Sequence, residues 1–122
     1  MKTDSNHLMV VESLDHVAVI WKPSQQLKPR GVVEASRLWE ESFWYINRAL
    51  VEPEVARGQG HGTHMLQRLL ETIRRSGPTR VVVDPGGYGA NVRRQRRFYR
   101  KSGFQSDRVI HGRLYLDLVR VS

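Results

Sequence analysis

The chain has 122 residues, which is enough for one folded domain with one core. It contains no cysteine, which excludes a disulfide framework, a thiolate nucleophile and a cysteine-ligated zinc site, and favours a cytoplasmic location. The formal net charge of +8, from 20 Lys and Arg against 12 Asp and Glu, favours anionic partners such as nucleic acid or a phosphorylated cofactor.

The first part of the chain is predicted to form strands, because its segments are rich in β-branched and aromatic residues. Four strands are predicted, at residues 7–12, 16–23, 32–39 and 43–51. A turn at Ser13 to Asp15 separates the first two, and residues 23–31, with two prolines and a glycine, predict a loop. The last two strands are joined near Glu40 and Glu41. No segment resembles a signal peptide or a membrane-spanning helix.

Helical periodicity begins at Gly62 and continues to Ser76. The apolar residues that recur on one helix face are Met65, Leu66, Leu69, Leu70 and Ile73. Gly77 can take a left-handed cap, and Pro78 cannot continue the helix, so we expect the helix to stop there.

A short apolar segment at residues 80–84 predicts a buried strand. After a glycine-rich turn, Asn91 is predicted to cap a second helix that runs to about Ser102 and ends at Gly103. Residues from Phe104 onward supply one or two closing strands. The order of strands and helices predicts an α+β fold, a mixed sheet with helices packed on it.

The stretch RGQGHG, residues 57–62, places three alternating glycines and an arginine directly before the first helix. Backbone N–H groups in the first turn of a helix lack internal partners and attract anions, and glycine lets a phosphate approach the backbone closely. The stretch therefore indicates a pyrophosphate site, although a flexible strand-to-helix turn has the same composition. It lacks the lysine of a P-loop, and the chain is too short for the two-halved sheet that binds dinucleotides.

Two motifs in the second half of the chain resemble signatures of the GNAT superfamily of N-acyltransferases. The first is V-x-P-x-x-x-R-G-x-G-x-G from Val51 to Gly62, and the second is FYRKSGF from Phe98 to Phe104. The resemblance implies a GNAT-like fold with a mixed, mostly antiparallel sheet and two main helices. It implies a single domain over residues 1–122, with N-terminal strands in 1–50 and an acyl-CoA-binding core in 51–122.

In that family the pyrophosphate of coenzyme A lies on the glycine loop, and the pantetheine arm runs beside the preceding strand. That strand diverges from the one formed by residues 80–84, and the gap admits the thioester. The resemblance thus implies acetyl-CoA as cosubstrate, bound by Leu50, Val51, Arg57, Gly58, Gln59, Gly60, His61, Gly62, Thr63 and Asn91. The family often has an asparagine where Val92 stands here, one residue after Asn91.

The implied reaction is transfer of an acetyl or other acyl group to a primary amine by direct attack in a ternary complex. Tyr99 occupies the position of the family's general acid, although a core tyrosine would also fit beside Phe98. Glu41 is a candidate general base, although acids in hairpin turns are usually only solvated. His61 and His64 lie three residues apart but lack a third ligand at fitting spacing, so no metal site is expected.

Family members commonly have two helices after the first strand, which wall the acceptor pocket, and no such pair is predicted here. The acceptor site is therefore expected to be open or to be completed by a second subunit in a homodimer. The run of cations from Arg93 to Lys101 is consistent with a solvated helix face, a contact to the 3′-phosphate of coenzyme A, or an anionic partner. Two alternatives to an enzyme stay open: a basic nucleic-acid-binding module on this scaffold, and a non-catalytic CoA-binding regulatory module.

Overall fold

The computed structural model describes residues 8–22, 31–51, 61–86 and 89–119. Within these ranges two helices accompany a seven-stranded sheet with the strand order β1-β2-β3-β4-β5-β7-β6. The elements are β1 Leu8–Glu12, β2 His16–Trp21, β3 Gly31–Leu38, β4 Phe43–Val51, α1 His61–Arg74, β5 Thr79–Val83, α2 Ala90–Lys101, β6 Gln105–Ser106 and β7 Leu114–Leu118. This mixed sheet with two helices confirms the predicted fold class.

The first four strands form an antiparallel meander. Between β1 and β2 the chain makes a three-residue turn, closed by a hydrogen bond from the N–H of Ser13 to the carbonyl of His16 at 2.8 Å. The predicted turn is confirmed, and β1 is joined to β2 without intervening helices. All neighbouring strands are antiparallel except β4 and β5, which run parallel because α1 connects them.

Helix α1 forms where the 3.6-residue apolar period predicts it. Met65, Leu66, Leu69 and Ile73 are completely buried. The helix ends before Gly77, which has a φ of 119° and donates its N–H to the carbonyl of Arg74. The predicted glycine stop is therefore confirmed.

Helix α2 begins earlier than the sequence predicts. Gly89 is its N-cap, with a φ of 56° and no side-chain capping bond, so the prediction that Asn91 caps the helix is wrong. Glycine reaches this left-handed conformation at little cost, so the helix starts at Ala90 and places Asn91 within its first turn. At the other end, Gly103 has a φ of 101°, and the N–H of Phe104 bonds to the carbonyl of Tyr99, which confirms the predicted end.

Both helices pack on the same face of the sheet. One core cluster joins the apolar side of α1 and the side chains of Tyr99 and Phe104 to the residues of β2, β3, β4, β5 and β7 that point to that face. A Cβ added at Gly103 would lie 3.4 Å from Leu116, a residue of β7 on this face. In the part of the chain that the structure describes, no helix covers the opposite face, which we call the open face. Neither helix there is long and apolar enough to cross a membrane.

The packing of α1 makes a quantitative prediction. Replacing Leu69 with alanine should lower the free energy of unfolding by about 3 kcal/mol, because it removes apolar contacts and leaves a cavity in a filled core. Urea denaturation followed by tryptophan fluorescence measures the change. Gln67→Ala, at an exposed position of the same helix, is the control and should stay within about 0.5 kcal/mol of wild type. A loss below about 1 kcal/mol for Leu69→Ala would contradict this packing.

Candidate active site at the separation of strands β4 and β5

The central feature of the site is the point at which β4 and β5 separate. Their parallel pairing covers only Phe43 to Ile46 of β4, opposite Arg80 to Val83 of β5. Beyond Ile46, β4 continues to Val51 while still paired with β3 on its other side. The edge of β4 that faces β5 is therefore free of pairing with β5 from Asn47 to Val51, which confirms the divergence that the family resemblance implies.

A bulge in β4 marks the start of this separation. Glu34 of β3 pairs with Arg48, but the next residue, Ala35, pairs with Ile46, so Asn47 is an extra residue in β4. A bulge bends and twists the strand that carries it, which directs the second half of β4 away from β5. The amide of Asn47 donates to the hydroxyl of Ser36 at 3.0 Å, which attaches the bulged residue to β3.

The N-terminus of α1 follows the free half of β4 in the chain. His61, Gly62 and Thr63 form its first turn, which contains no acidic residue. Their N–H groups lack partners within the helix, and the helix dipole makes this end attractive to an anion. Leu50 and Val51 lie in β4, opposite Val32 and Gly31 of β3. The rest of the predicted pyrophosphate loop, at Arg57, Gly58, Gln59 and Gly60, lies outside the described residues.

Tyr99 lies on the side of α2 that faces the core, with 3% of its surface exposed. Its ring packs edge to face against Phe98 and Phe104, at centroid distances of 5.0 and 5.4 Å. Burial raises the pKa of Tyr99 to about 12, so its phenol is protonated throughout the physiological range. A neutral phenol can donate a proton or a hydrogen bond, which is the chemistry that a departing thiolate requires.

Glu41 lies away from the start of the separation. It is an exposed residue of the turn between β3 and β4, where its N–H donates to the carbonyl of Leu38. About 13 Å of strand, from Phe43 to Asn47, lies between this turn and the point where β4 and β5 part. The structure does not bring Glu41 to that point.

A different carboxylate lies directly at the separation. Asp84 follows the last residue of β5. Arg113 donates two hydrogen bonds of 2.9 Å to its carboxylate, from Nε to Oδ1 and from Nη2 to Oδ2. Tyr45 of β4 donates its hydroxyl to Asp84 Oδ2 at 3.0 Å. Arg113 holds the pKa of Asp84 below its usual value, against the opposing effect of burial, and Tyr45 acts in the same direction as Arg113. The pKa of the Tyr45 hydroxyl is raised, mainly by burial and secondly by its hydrogen bond to Asp84.

These three side chains lie on the open face, next to the gap. Tyr45 alternates along β4 with the buried residues Trp44 and Ile46, so it points away from both helices. The side chain of Asp84 is 39% exposed and that of Arg113 is 19% exposed, so the acid is the more accessible partner. No motif in the sequence indicates a role for Arg113 or its contact with Asp84 and Tyr45. The one signal for it was an acid directly after a buried strand.

Asn91, a predicted cosubstrate-binding residue, is exposed in the first turn of α2. It lies two residues after the N-cap Gly89. Gln95, one turn further on, donates its amide to the carbonyl of Gly86. This bond holds the start of α2 against the segment that follows β5.

Comparisons with known proteins agree with this architecture. A family model described as the acetyltransferase (GNAT) domain matches residues 6–106. No curated protein matches the sequence significantly. A protein from Desulfovibrio desulfuricans, described as a GNAT-family acetyltransferase, superposes with a TM-score of 0.71 at 16% identity, over 86% of this chain and 70% of that one.

Two other solved structures bear on the ligand and on the size of the domain. An aminoglycoside 6′-N-acetyltransferase solved in complex with coenzyme A superposes with a TM-score of 0.64 at 15% identity, over 90% of this chain and 77% of that one. The anti-CRISPR protein AcrVA5 superposes with a TM-score of 0.58 at 15% identity, over 89% of this chain and 97% of that one. The fold thus occurs in another chain of nearly this length.

The family match covers most of the chain, and the strand separation, the helix that follows it and the later aromatic signature all occur where this family has them. The chain belongs to the GNAT family of acyl-CoA-dependent N-acetyltransferases.

Proposed function

We propose that the protein transfers an acetyl group from acetyl-CoA to a primary amine that approaches from the open face. The observation that carries this proposal is the free edge of β4 from Asn47 to Val51, directly before the N-terminus of α1. An extended pantetheine arm can pair with that edge as an added strand does, while its pyrophosphate lies on the first-turn amides of α1. Asn91 and residues 57–63 then complete the cosubstrate site.

The proposed chemistry is a direct transfer. The amine nitrogen attacks the thioester carbonyl carbon, a C–N bond forms, and the C–S bond breaks. The ammonium group of the acceptor first loses a proton to water, which frees the nitrogen lone pair for the attack. The departing thiolate takes a proton from Tyr99, the nitrogen loses its second proton to water, and the Tyr99 phenolate regains a proton from solvent. Because the chain has no cysteine, no thioacyl-enzyme is available as an intermediate.

For the acceptor we propose a cationic amine held by Asp84. A lysine-like amine with a pKa near 10.4 is mostly protonated at pH 7, and a carboxylate beside the gap attracts that ammonium group. The lowered pKa of Asp84 makes it a weak base, which suits binding the cation better than removing its proton. Glu41 is too far along β4 to serve as the base without a chain of water molecules. A second subunit is not part of this proposal, because no described helix covers the open face of one chain.

The cosubstrate site is tested by calorimetry with acetyl-CoA. Wild type and Tyr99→Phe should both bind with micromolar affinity, whereas Gly60→Trp should lose binding because the indole would occupy the place of a phosphate beside the backbone. The variant Gln59→Ala, in the same stretch, retains the glycines and should bind like wild type. Thermal denaturation checks that Gly60→Trp stays folded. Absence of acetyl-CoA binding to the wild-type protein would refute the proposed function.

The acid role of Tyr99 is tested by turnover. Release of free thiol from acetyl-CoA, measured across a panel of small amines, peptides and proteins, should identify an acceptor. With that acceptor, Tyr99→Phe should lower kcat about 100-fold while the affinity for acetyl-CoA stays the same, because general acid catalysis typically contributes that much or more. An unchanged kcat would leave Tyr99 as a core residue only.

The state of the Tyr99 phenol is tested independently of turnover. In the unfolded chain a tyrosine ionises near pH 10, whereas in the folded protein burial raises the pKa of Tyr99 to about 12. The unfolded state therefore releases this proton first, and stability is lost as pH rises from about 10 to 12. Between pH 8 and 11 wild type should lose about 1.4 kcal/mol more unfolding free energy than Tyr99→Phe, as measured by urea denaturation. Equal losses would show that the phenol ionises normally.

The role of Asp84 is tested with the acceptor found above. Asp84→Asn keeps an oxygen for the Tyr45 hydroxyl but removes the charge, so the KM for the amine should rise about fivefold, with kcat within about twofold. Asp117→Asn is the matched control, because Asp117 is a partly exposed acid on the same face that pairs with Arg80 at 2.7 Å. A fall in kcat without a change in KM would identify Asp84 as a base instead.

A further inference from the structure

Helix α2 presents a continuous row of cations to solvent. Arg93, Arg94, Arg97, Arg100 and Lys101 are all exposed. At about 100° per residue these five positions lie within about 120° of the helix circumference, and at about 1.5 Å per residue they extend over about 12 Å. We call this row the basic stripe. The opposite side of α2 holds Tyr99 and half-buried Phe98 against the core, so the stripe cannot turn inward.

The side chains of the stripe are largely uncommitted. Within residues 8–22, 31–51, 61–86 and 89–119, the guanidinium groups of Arg93, Arg94 and Arg97 make no hydrogen bond or ion pair. Arg100 donates to the hydroxyl of Ser106. The neighbouring Arg96 is directed toward the β6–β7 segment, where it donates to the carbonyl of Gly112 at 3.0 Å and to the same Ser106 hydroxyl at 3.2 Å.

No acid on the helix offsets this charge. The first turn of α2 contains no acidic residue, and its last turn contains Arg100 and Lys101. Asp107, which follows Ser106, accepts hydrogen bonds from the backbone N–H groups of Val109 and Ile110. The carboxylate of Asp107 is therefore bound within its own turn and does not pair with the helix residues that the structure describes, and those hydrogen bonds lower its pKa.

The stripe also costs helix stability. Arg97 has like-charged neighbours at helical spacing in both directions, namely Arg93, Arg94, Arg100 and Lys101, and like charges three or four residues apart destabilise a helix. A merely solvated surface does not require this arrangement, since any mixture of charges would keep it soluble. A partner with dense negative charge would relieve the repulsion.

We propose that the basic stripe of α2 is a docking surface for the phosphate backbone of duplex nucleic acid. Over about 12 Å of its axis a duplex carries about seven negative charges, so the five cations of the stripe can neutralise a large share of the phosphates that they face. Arginine supplies four of the five, and its planar donor fork fits phosphate oxygens. Single-stranded nucleic acid is less favoured, because no exposed aromatic ring lies on the stripe to stack with bases. Such a contact recognises the phosphate backbone of the duplex and not its base sequence.

The experiment is fluorescence anisotropy with a labelled 24-base-pair DNA duplex of mixed sequence, titrated with the full chain at several salt concentrations. If about four phosphates are neutralised, affinity should fall about 100-fold between 50 and 200 mM salt. Arg93→Gln combined with Arg97→Gln should weaken binding at least about tenfold and reduce the salt slope by about two. The matched control combines Arg48→Gln with Arg80→Gln, which removes the same charge from the open face and should change affinity less than threefold.

A second variant separates docking from folding. Arg97→Glu turns repulsive helical pairs into attractive ones, so the Tm should rise by about 3 °C while duplex binding falls. Loss of binding in a more stable protein cannot come from unfolding. Acetyl-CoA binding by this variant should equal that of wild type, so the result is independent of the proposed acyl transfer.

Three outcomes would overturn the proposal. The first is no duplex binding by wild type at 100 mM salt. The second is displacement of the duplex by saturating coenzyme A, which would assign the stripe to the phosphates of the cosubstrate. The third is equal affinity for polyglutamate of the same charge, which would assign it to an acidic protein partner.

Discussion

The separation of β4 from β5 is the constraint on which the rest of the site depends. Two parallel strands that stayed paired along their full length would leave no free backbone edge and no gap for a thioester. Here the pairing ends at Ile46 and Val83, and the extra residue Asn47 gives β4 the bend that carries it away. The antiparallel pairing with β3 continues to Val51 and holds the free edge in an extended conformation, so its backbone groups are positioned before any ligand arrives.

The short turn between β1 and β2 leaves no room for a helix between these two strands. The chain passes from one strand to the next through Ser13 to Asp15, where relatives of the family commonly insert two helices. As a result the face that carries Tyr45, Asp84 and Arg113 has no described helix over it, while the face that carries α1 and α2 is fully packed. Among the described residues, the core therefore lies on one side of the sheet.

Local patterns were sufficient to predict the elements but not the contacts between them. The period of Met65, Leu69 and Ile73 predicts α1, and the left-handed preference of glycine predicts the helix ends at Gly77 and Gly103, because both signals are local. The cap of α2 was misjudged because Gly89 competes with Asn91, and only the backbone conformation decides between them. The two-residue strand β6 is too short to give a periodic signal.

The active-site geometry depends on information that the sequence does not contain locally. Tyr45 lies 39 positions before Asp84, and Arg113 lies 29 positions after it. The three residues meet only because β4, β5 and β7 pair in one particular register. The strand separation itself was expected from the resemblance alone. Burial of Tyr99 followed from neither composition nor charge, although its position beside Phe98 was consistent with it.

Hydrogen–deuterium exchange with and without coenzyme A tests the central claim most directly. The claim is that the free edge of β4 and the first turn of α1 together hold the cosubstrate. Amides of Asn47 to Val51 and of His61 to His64 should exchange more slowly when coenzyme A is added, while those of β1 and β2 should not change. Protection confined to other segments, or none at a concentration that saturates binding, would contradict the account.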